Sequence, residues 1–262
     1  MSNFHENGII ILDFGSQYTQ LIARRIREQH VYSEIMSSDV SLDVIQERSP
    51  KAIILSGGPS SVYEDSSPEY DSKLFAMDIP ILGICYGLQL MAHHYNGQVE
   101  SSSHGEYGFA LINIMNSKHL FQSVSSNTQV WMSHMDRVTQ MPPGWEIMAE
   151  SSNGVVAAMG HMESKRFATQ FHPEVNHTVE GETILNNFLF KIAGCSPDWT
   201  AGNFINEHVE KICEITAGKR VLVGVSGGVD SSVVAALLNK AIGEQSIAVL
   251  IDHGLMRKNE AG

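Results

Sequence analysis

The sequence predicts an α/β protein with an open, mostly parallel sheet flanked by helices, followed by a second, incomplete α/β unit. Three observations carry this prediction. Over about the first ninety residues, apolar runs of strand length alternate with stretches of helical periodicity, which is typical of parallel strands joined by crossover helices. Past Gly97 the apolar runs become shorter and are separated by turn residues, which indicates further strands. Beyond Ala201 the alternation of helix and strand begins again.

The predicted elements of the first unit follow the apolar pattern. Its opening strands are expected at residues 8–13, 32–36, 51–55 and 79–84. Helices are expected at residues 17–30, where Leu21, Ile22 and Ile26 share one face, and at residues 42–48. Shorter strands are expected at residues 109–115, 128–132, 145–149, 155–159 and 167–171. A closing helix is expected at residues 180–192.

The second unit begins after a predicted linker. Gly194 and Pro197 fall together where the closing helix should end, so we expect a domain over residues 1–195, a linker over 196–202 and a second domain over 203–262. The pattern there predicts helices at 201–216 and 231–242 and strands at 220–225 and 246–252. Two strands bury too little apolar surface to be independently stable. We therefore expect this unit to be truncated or completed by another chain.

The composition argues against several classes of partner. Of the 262 residues, 43% are hydrophobic and 18% are charged, and the formal net charge is −12. Nucleic acids and anionic membranes are bound mainly by clustered Lys and Arg, so we expect neither as a partner. The N-terminal stretch has no basic region before its short apolar run. We therefore expect no signal peptide and no membrane anchor.

The cysteines indicate a reducing location. Cys85, Cys195 and Cys213 are widely spaced and odd in number, so we expect neither a disulfide framework nor a structural zinc site. The histidines lack a convincing metal-ligand spacing, and we assign no metal site. A cytoplasmic location fits this pattern best.

One cysteine directly follows a predicted strand and precedes a predicted helix. In PILGICYGLQL the strand ends at Ile84, Cys85 stands at the elbow, and the helix runs over residues 88–95. Such an elbow lifts a nucleophile to the end of the sheet. The helix N-terminus favours a thiolate and supplies N–H groups for a developing oxyanion. The alternative is that Cys85 is a small buried apolar side chain.

Two further segments supply partners for this cysteine. In QFHPEV, His172 and Glu174 stand at the end of another predicted strand. A cysteine nucleophile needs a base, and the base needs an orienting acceptor, so the combination favours a triad over a loop histidine. In LSGGPSSV, Gly57 and Gly58 form a turn whose N–H groups can face an oxyanion. A plain tight turn would use the same glycines.

The segments SGGP, GICYGLQ and FHPE, in this order, resemble those of the class I glutamine amidotransferases over about residues 8–193. The resemblance implies a flavodoxin-like fold and the release of ammonia from glutamine through a glutamyl thioester. It implies that Cys85 is the nucleophile, His172 the general base and Glu174 the residue that orients it. It implies oxyanion and glutamine contacts at Gly57, Gly58, Tyr86, Gln89, Ser133, His134 and Asp136. Met135 departs from the Gly that is common in the family.

A glycine- and serine-rich loop separates the predicted strand and helix of the second unit. Its glycines free N–H groups for a phosphate, and the helix N-terminus adds favourable partial charge. The loop lacks the Lys of a Walker A motif and resembles the PP-loop of ATP pyrophosphatases. This resemblance implies ATP binding by Ser226, Gly227, Gly228, Val229, Asp230, Ser231 and Ser232. The alternative is a glycine-rich helix cap to which Asp230 contributes.

Together the two motifs resemble the GMP synthetase family, as does the opening LDFGSQYTQL. The resemblance implies glutamine, ATP and XMP as substrates, Mg²⁺ with ATP, no tightly bound cofactor, and a homodimer at full length. We expect this chain alone to be limited to glutamine hydrolysis. Two alternatives stay open: a glutaminase subunit that supplies ammonia to a separate synthetase, and a module that senses glutamine without catalysis. His253 stands where related synthetases often have Asn, and we assign it no role.

Overall fold

The computed structural model describes residues 7–250, apart from the side chains of residues 103 and 104. The chain divides into two compact units, residues 1–198 and residues 199–262. The division falls inside the predicted linker over 196–202. The domain limits 1–195 and 203–262 themselves stay a prediction.

The first unit is built on a 9-stranded sheet in the order β2-β1-β3-β4-β9-β8-β7-β5-β6. Its strands are β1 (Ile9–Asp13), β2 (Ser33–Ser37), β3 (Ala52–Leu55), β4 (Ile81–Ile84), β5 (Gln98–Ile114), β6 (Asn127–Gln140), β7 (Glu146–Ser151), β8 (Val156–His161) and β9 (Arg166–Thr169). The pairs from β2 through β9 are parallel. The pairs from β9 through β6 are antiparallel.

Helices cover both faces of the parallel part. They are α1 (Thr19–Glu28), α2 (Leu42–Arg48), α3 (Tyr86–His94) and α4 (Gly181–Asn186), and α4 continues as a π-helix over Asn187–Ile192. Short 3₁₀ helices lie at Ser72–Ala76 and His119–Phe121. The predicted fold class, a mostly parallel sheet with flanking helices, is confirmed.

The parallel strands are buried on both faces because they are apolar throughout. In β1, Ile9 and Ile11 pack into one core with Ile22 of α1. Ile10 and Leu12 pack into the other core on the opposite face. A continuous apolar run is what a parallel strand between two helical layers requires. This packing fixes the carboxyl ends of β1, β3, β4 and β9 along one edge of the sheet.

The second unit contains α5 (Ala201–Thr216), β10 (Val221–Val225), α6 (Val229–Ile242), a 3₁₀ turn over Gly243–Gln245 and β11 (Ser246–Leu250). β10 and β11 form a parallel pair. The last two residues of the predicted strand 246–252 lie outside the described residues, as does His253. Over residues 7–250, no helix is both long and apolar enough to cross a membrane.

Candidate active site

Cys85 stands at a sharp turn between β4 and α3. Its backbone φ of +54° lies in the left-handed region, which a residue with a side chain adopts only when its surroundings hold it there. The Cys85 N–H donates to the Thr169 carbonyl at 2.8 Å, and the Cys85 carbonyl accepts from the Leu88 N–H at 3.0 Å. The elbow that the sequence predicts is present.

Two glycines allow this turn to pack. A Cβ at Gly83 would lie 2.5 Å from the Gly87 carbonyl oxygen, and a Cβ at Gly87 would lie 2.6 Å from the Leu55 carbonyl oxygen. Both distances are too short for a carbon and a backbone oxygen. Glycine at both positions is therefore what lets β3, β4 and the start of α3 approach one another.

The cysteine opens into a cavity of about 400 Å³ at the carboxyl edge of the sheet. Several residues singled out in the sequence line it: Gly58, Cys85, Gln89, Ser133, His134, Asp136 and His172. Gly57 lies just behind, where a Cβ would be 3.6 Å from Cys85 Cβ and 3.3 Å from His172 Cε1. The carboxyl ends of parallel strands and the antiparallel strand β6 thus bring segments that are distant in the chain to one small space.

His172 and Glu174 form a buried pair beside the cysteine. His172 Nδ1 lies 2.7 Å from Glu174 Oε1, and the two residues are 4% and 1% exposed. The other carboxylate oxygen, Glu174 Oε2, has no hydrogen-bond partner within residues 7–250. Burial disfavours the charged imidazolium, but Glu174 and a hydrogen bond to Cys85 outweigh it and raise the pKa of His172 well above its usual range.

The sulfur of Cys85 has two hydrogen-bonding contacts and lies beside His172. His172 lines the same cavity, and its pKa is raised in part by its interaction with Cys85. The sulfur lies 3.6 Å from the Ser133 carbonyl oxygen, to which a thiol can donate. Gln170 Nε2 lies 3.7 Å from the sulfur. A thiol therefore lies beside a base, and that base is in contact with a carboxylate, which is the arrangement that activates a nucleophile.

The two residues whose backbone N–H groups were expected to bind an oxyanion differ in placement: Gly58 lines the cavity, whereas Tyr86 directly follows Cys85 and is 1% exposed. Tyr86 is the first residue of α3, and such a residue has no intrahelical acceptor for its N–H. A Cβ at Gly58 would lie 2.5 Å from the Phe14 carbonyl oxygen. The loop after β3 therefore needs glycine at this point.

The far side of the cavity is formed by β6 and α3. Gln89 Nε2 donates to the Asp136 carbonyl at 3.1 Å, and Asp136 Oδ1 accepts from Tyr63 Oη at 3.1 Å. Met135, which departs from the family's common Gly, is 46% exposed and lines the cavity. Its side chain therefore forms part of the cavity wall, at the point where the β5–β6 register shifts between His134 and Asp136.

His134 is held by groups on two strands. Its Nδ1 lies 2.9 Å from the Asp136 carbonyl, and its Nε2 lies 3.3 Å from Glu106 Oε2 on β5. Burial lowers the pKa of His134, although the Asp136 carbonyl and Glu106 oppose this. Glu106 in turn accepts hydrogen bonds from Ser151 and Asn153. The segment 133–136 is therefore fixed from behind by a polar network.

Several cavity residues were missed in the sequence. Ser16 and Tyr18 follow β1, and the Tyr18 ring contacts the His172 ring edge to face at 5.0 Å. They could have been predicted, because they follow β1, a parallel strand whose carboxyl end lies on the same edge of the sheet as Cys85. Tyr107, which lines the cavity, and Gln170, which is buried behind it and contacts the Cys85 sulfur, were also missed. The side-chain direction of each depends on how its segment pairs with distant strands.

The loop of the second unit lies between β10 and α6. Gly227 has a φ of +79°, and Ser231 Oγ accepts from the Ser226 N–H at 3.2 Å. Ser231 and Ser232 both donate to the Gly228 carbonyl, at 3.1 and 2.8 Å. Asp230 stands in the first turn of α6. The loop is exposed, its hydroxyl groups are clustered, and it ends at a helix N-terminus, which fits a phosphate group.

The fold and the site define a class of protein: an α/β protein with a buried Cys-His-Glu group at the carboxyl edge of a parallel sheet. Comparison with known families agrees, because the glutamine amidotransferase class-I family matches residues 10–192. The chain belongs to the class-I glutamine amidotransferase family. The NAD synthase family matches residues 200–261.

Curated relatives extend the likeness across both units. The chain is 52% identical over 252 residues to a glutamine-hydrolyzing GMP synthase of Oceanobacillus iheyensis, covering 96% of this chain and 49% of the relative. It is 50% identical over 253 residues to the protein of the same name from Geobacillus kaustophilus, covering 97% and 50%. The chain therefore spans about half the length of the curated relatives it matches.

Solved structures share the fold of the first unit. A Thermoplasma acidophilum protein described as one subunit of a GMP synthase has a TM-score of 0.65 at 30% identity, covering 76% of this chain and 97% of that one. A glutamine amidotransferase of Thermotoga maritima has a TM-score of 0.53 at 16% identity, covering 90% and 98%. The second likeness concerns the fold alone.

Proposed function

We propose that the first unit hydrolyses glutamine to glutamate and ammonia, and that in the complete protein this ammonia aminates XMP to GMP at the expense of ATP. The observation that carries the first part is that Cys85 and His172 line one cavity, with His172 Nδ1 2.7 Å from the buried Glu174 carboxylate. The second part is supported by the curated GMP synthases, which match both units.

The proposed reaction starts at the sulfur. The Cys85 thiolate, whose proton has passed to His172, attacks the carboxamide carbon of glutamine. The C–N bond then breaks, and the proton on His172 leaves with the nitrogen as ammonia. Water, deprotonated by His172, hydrolyses the thioester to glutamate and restores the thiol. Glu174 holds the imidazole in the orientation that both steps need.

The cavity supplies the remaining requirements. The N–H groups of Gly58 and Tyr86 would stabilise the negative oxygen that develops at the carboxamide carbon. Gln89, Asp136 and the segment from Ser133 would hold the amino-acid end of glutamine. A cavity of about 400 Å³ with polar walls suits a small zwitterionic substrate.

For the second unit we infer that residues 226–232 bind the phosphates of ATP. The positive φ of Gly227 and the start of α6 directly after the loop support this role. Mg²⁺ would accompany ATP and be held largely through its phosphates, where it neutralises developing charge. A cytoplasmic location is supported by the free state of Cys85, Cys195 and Cys213. Dimerisation at full length rests on the family resemblance.

The second candidate function is that of a glutaminase subunit serving a separate synthetase. It is favoured by the likeness of the first unit to the Thermoplasma GMP synthase subunit, of which the chain covers 97%. The match of residues 200–261 to the NAD synthase family favours the fused arrangement instead. Binding of ATP by the loop decides between them.

The first test is glutamate release from glutamine by this chain, by Cys85→Ala and by Cys213→Ala. We expect Cys85→Ala to lose hydrolysis by at least about a thousandfold, because no other thiol lines the cavity within the described residues. Cys213 is an exposed cysteine of the second unit and serves as the matched control, so Cys213→Ala should keep full activity. Equal activity in all three proteins would refute the assignment.

The second test uses the full-length polypeptide with glutamine, ATP, Mg²⁺ and XMP. We expect GMP to form with glutamine, and a Cys85→Ala variant to form GMP only when free ammonia is supplied. Glutamine hydrolysis without any amination of XMP would leave the amidotransferase assignment intact and remove the GMP synthase assignment.

A further inference from the structure

Gln170 is a buried amide that contacts the nucleophile and has no part in the reaction as described above. It directly follows β9 and is 0% exposed. Its backbone N–H donates to the Ala157 carbonyl at 2.8 Å, which fixes the main chain. Its side-chain nitrogen Nε2 lies 3.7 Å from Cys85 Sγ. An amide at this point matters because its two ends differ: one donates hydrogen bonds and the other only accepts them.

The orientation of this amide is dictated by its neighbours. The Asp136 carbonyl can only accept, so Gln89 must turn its NH₂ group towards it, at 3.1 Å. The same NH₂ group then donates to Gln170 Oε1 at 3.4 Å. With its oxygen occupied in this way, Gln170 must present its own NH₂ group to the sulfur. The Asp136 carbonyl thus determines which way the Gln89 amide points, and through it which end of the Gln170 amide faces the Cys85 sulfur.

The sulfur distinguishes this donor from its other neighbours. As a thiol it can donate to the Ser133 carbonyl at 3.6 Å. As a thiolate it can only accept, and among the described side chains Gln170 Nε2 and the protonated His172 are placed to donate to it. The Gln170 contact therefore favours the thiolate over the thiol, and water does not reach the donor amide itself because Gln170 is 0% exposed.

We propose that Gln170 is a catalytic residue that donates a hydrogen bond to the Cys85 thiolate, with its polarity fixed through Gln89 by the Asp136 carbonyl. The catalytic part of this proposal rests on the proposed glutamine hydrolysis. A consequence concerns Gln89: both of its N–H groups are engaged within the protein, so it can offer substrate only its oxygen. That oxygen suits the ammonium group of glutamine.

The test is the rate at which iodoacetamide alkylates Cys85 as a function of pH, in the complete chain without glutamine, followed by mass spectrometry of the Cys85 peptide. Gln170→Glu places an oxygen where the donor stood and keeps the shape. We expect its alkylation profile to move to higher pH by about one unit or more, which lowers the rate at neutral pH by about tenfold. Alkylation of the exposed Cys213 in the same sample is the internal reference and should not change.

Gln170→Met is the second variant, because it removes the donor without burying a charge. We expect the alkylation profile of Gln170→Met to move to higher pH by less than that of Gln170→Glu. Its thermal unfolding should stay close to that of the parent chain. If Gln170→Glu does not fold, Gln170→Met alone decides the matter. An unshifted profile in a folded Gln170→Met variant would overturn the proposal.

The measurement separates this proposal from the proposed function. Alkylation requires no substrate, so a chain that never hydrolyses glutamine would still show the shift if Gln170 supports the thiolate. Conversely, normal hydrolysis with unshifted alkylation in both variants would refute the role of Gln170 and leave the amidotransferase assignment untouched.

Discussion

At the scale of single residues, the charge balance at His172 is set by groups that water cannot reach. Glu174 is 1% exposed, and the positively charged partner that its carboxylate meets among the described side chains is the imidazolium of His172. Arg25 reaches the same turn but donates from Nε to the Glu174 backbone carbonyl at 2.9 Å. Arg25 therefore holds the backbone of this turn in place, whereas the Glu174 carboxylate holds the proton on the His172 imidazole. The two effects can be separated by substitution.

Replacement of Glu174 by Gln should make stability depend on pH in a specific way. The pKa of His172 is raised above its usual 6.5 in the folded protein, so protonated His172 adds stability fully below about pH 6.5, and this is lost as pH rises through the folded pKa. Because Gln keeps an acceptor but no charge, Glu174→Gln should cost about 1.5–3 kcal/mol below pH 6.5, roughly 3–10 °C in the thermal midpoint. The difference in stability between Glu174→Gln and the parent chain should become smaller at higher pH.

The check is thermal unfolding of both proteins between about pH 5.5 and 9, a range in which most carboxylates stay ionised. Glu182→Gln is the matched control, since Glu182 accepts from Gln29 at 3.1 Å on the surface. Its effect should be small and independent of pH. A constant gap between Glu174→Gln and the parent chain would contradict the electrostatic account.

The chemistry of the site could be predicted from sequence where it depends on which residues end parallel strands. Cys85 and His172 each follow a buried strand, and parallel strands end at one edge, so their meeting was expected and they both line the cavity. The contacts of Glu106 could not be predicted. Glu106 reaches His134 because the β5–β6 register shifts between Ser101 and Glu106, and such a shift leaves no local pattern.

At the scale of elements, the turn between β4 and α3 depends on close packing that only glycine allows, rather than on one attractive contact. Cys85 holds a sparsely populated backbone conformation with positive φ that costs about 1–3 kcal/mol, so the surrounding packing must maintain it. That packing includes the approach of Gly87 to Leu55, which leaves no room for a methyl group. A methyl group added at Gly87 should therefore displace the Cys85 sulfur.

We expect Gly87→Ala to lose glutamine hydrolysis by roughly 100-fold, because a displaced nucleophile loses alignment with His172. The added Cβ would lie 2.6 Å from the Leu55 carbonyl oxygen and 2.9 Å from Leu55 Cβ, and such overpacking costs about 1–3 kcal/mol. Gly154→Ala is the control: its φ of +74° makes alanine strained there, but nothing lies within 4 Å. It should lose comparable stability and keep its activity, as measured by thermal unfolding and glutamate release.

Element limits were predicted well where burial is continuous and poorly where it is not. The predicted helix over 42–48 agrees with α2, Leu42–Arg48. The predicted strands 109–115 and 128–132 are only parts of β5 and β6, which have 17 and 14 residues. These strands continue past their apolar cores because they pair with each other through polar residues. The predicted helix over 180–192 changes to a π-helix at Asn187, a difference that periodicity does not reveal.

At the scale of the whole molecule, the two units differ in how much side chain they bury. β1 reads IIILD and is buried over its first four residues, whereas β10 reads VLVGV and alternates between half-buried and exposed. Among the described residues, α5 and α6 contain no buried side chain. Leu222 and Val229 are 71% and 79% exposed. The stability of the second unit must therefore come from far less apolar burial than that of the first.

Hydrogen exchange should therefore separate the two units within the same molecule. β1 and β10 are matched, because each has 5 residues and each lies in a parallel pairing. Exchange from buried strands requires global unfolding, whereas a two-stranded sheet without a core opens at little cost. We expect amides of β1, β3 and β4 to exchange at least about a thousandfold more slowly than those of β10 and β11, measured by mass spectrometry at neutral pH. Equal protection of β1 and β10 would show that the second unit has a source of stability other than its own side-chain burial. Repeating the exchange measurement with saturating ATP and Mg²⁺ would then identify whether the loop at 226–232 provides that stability.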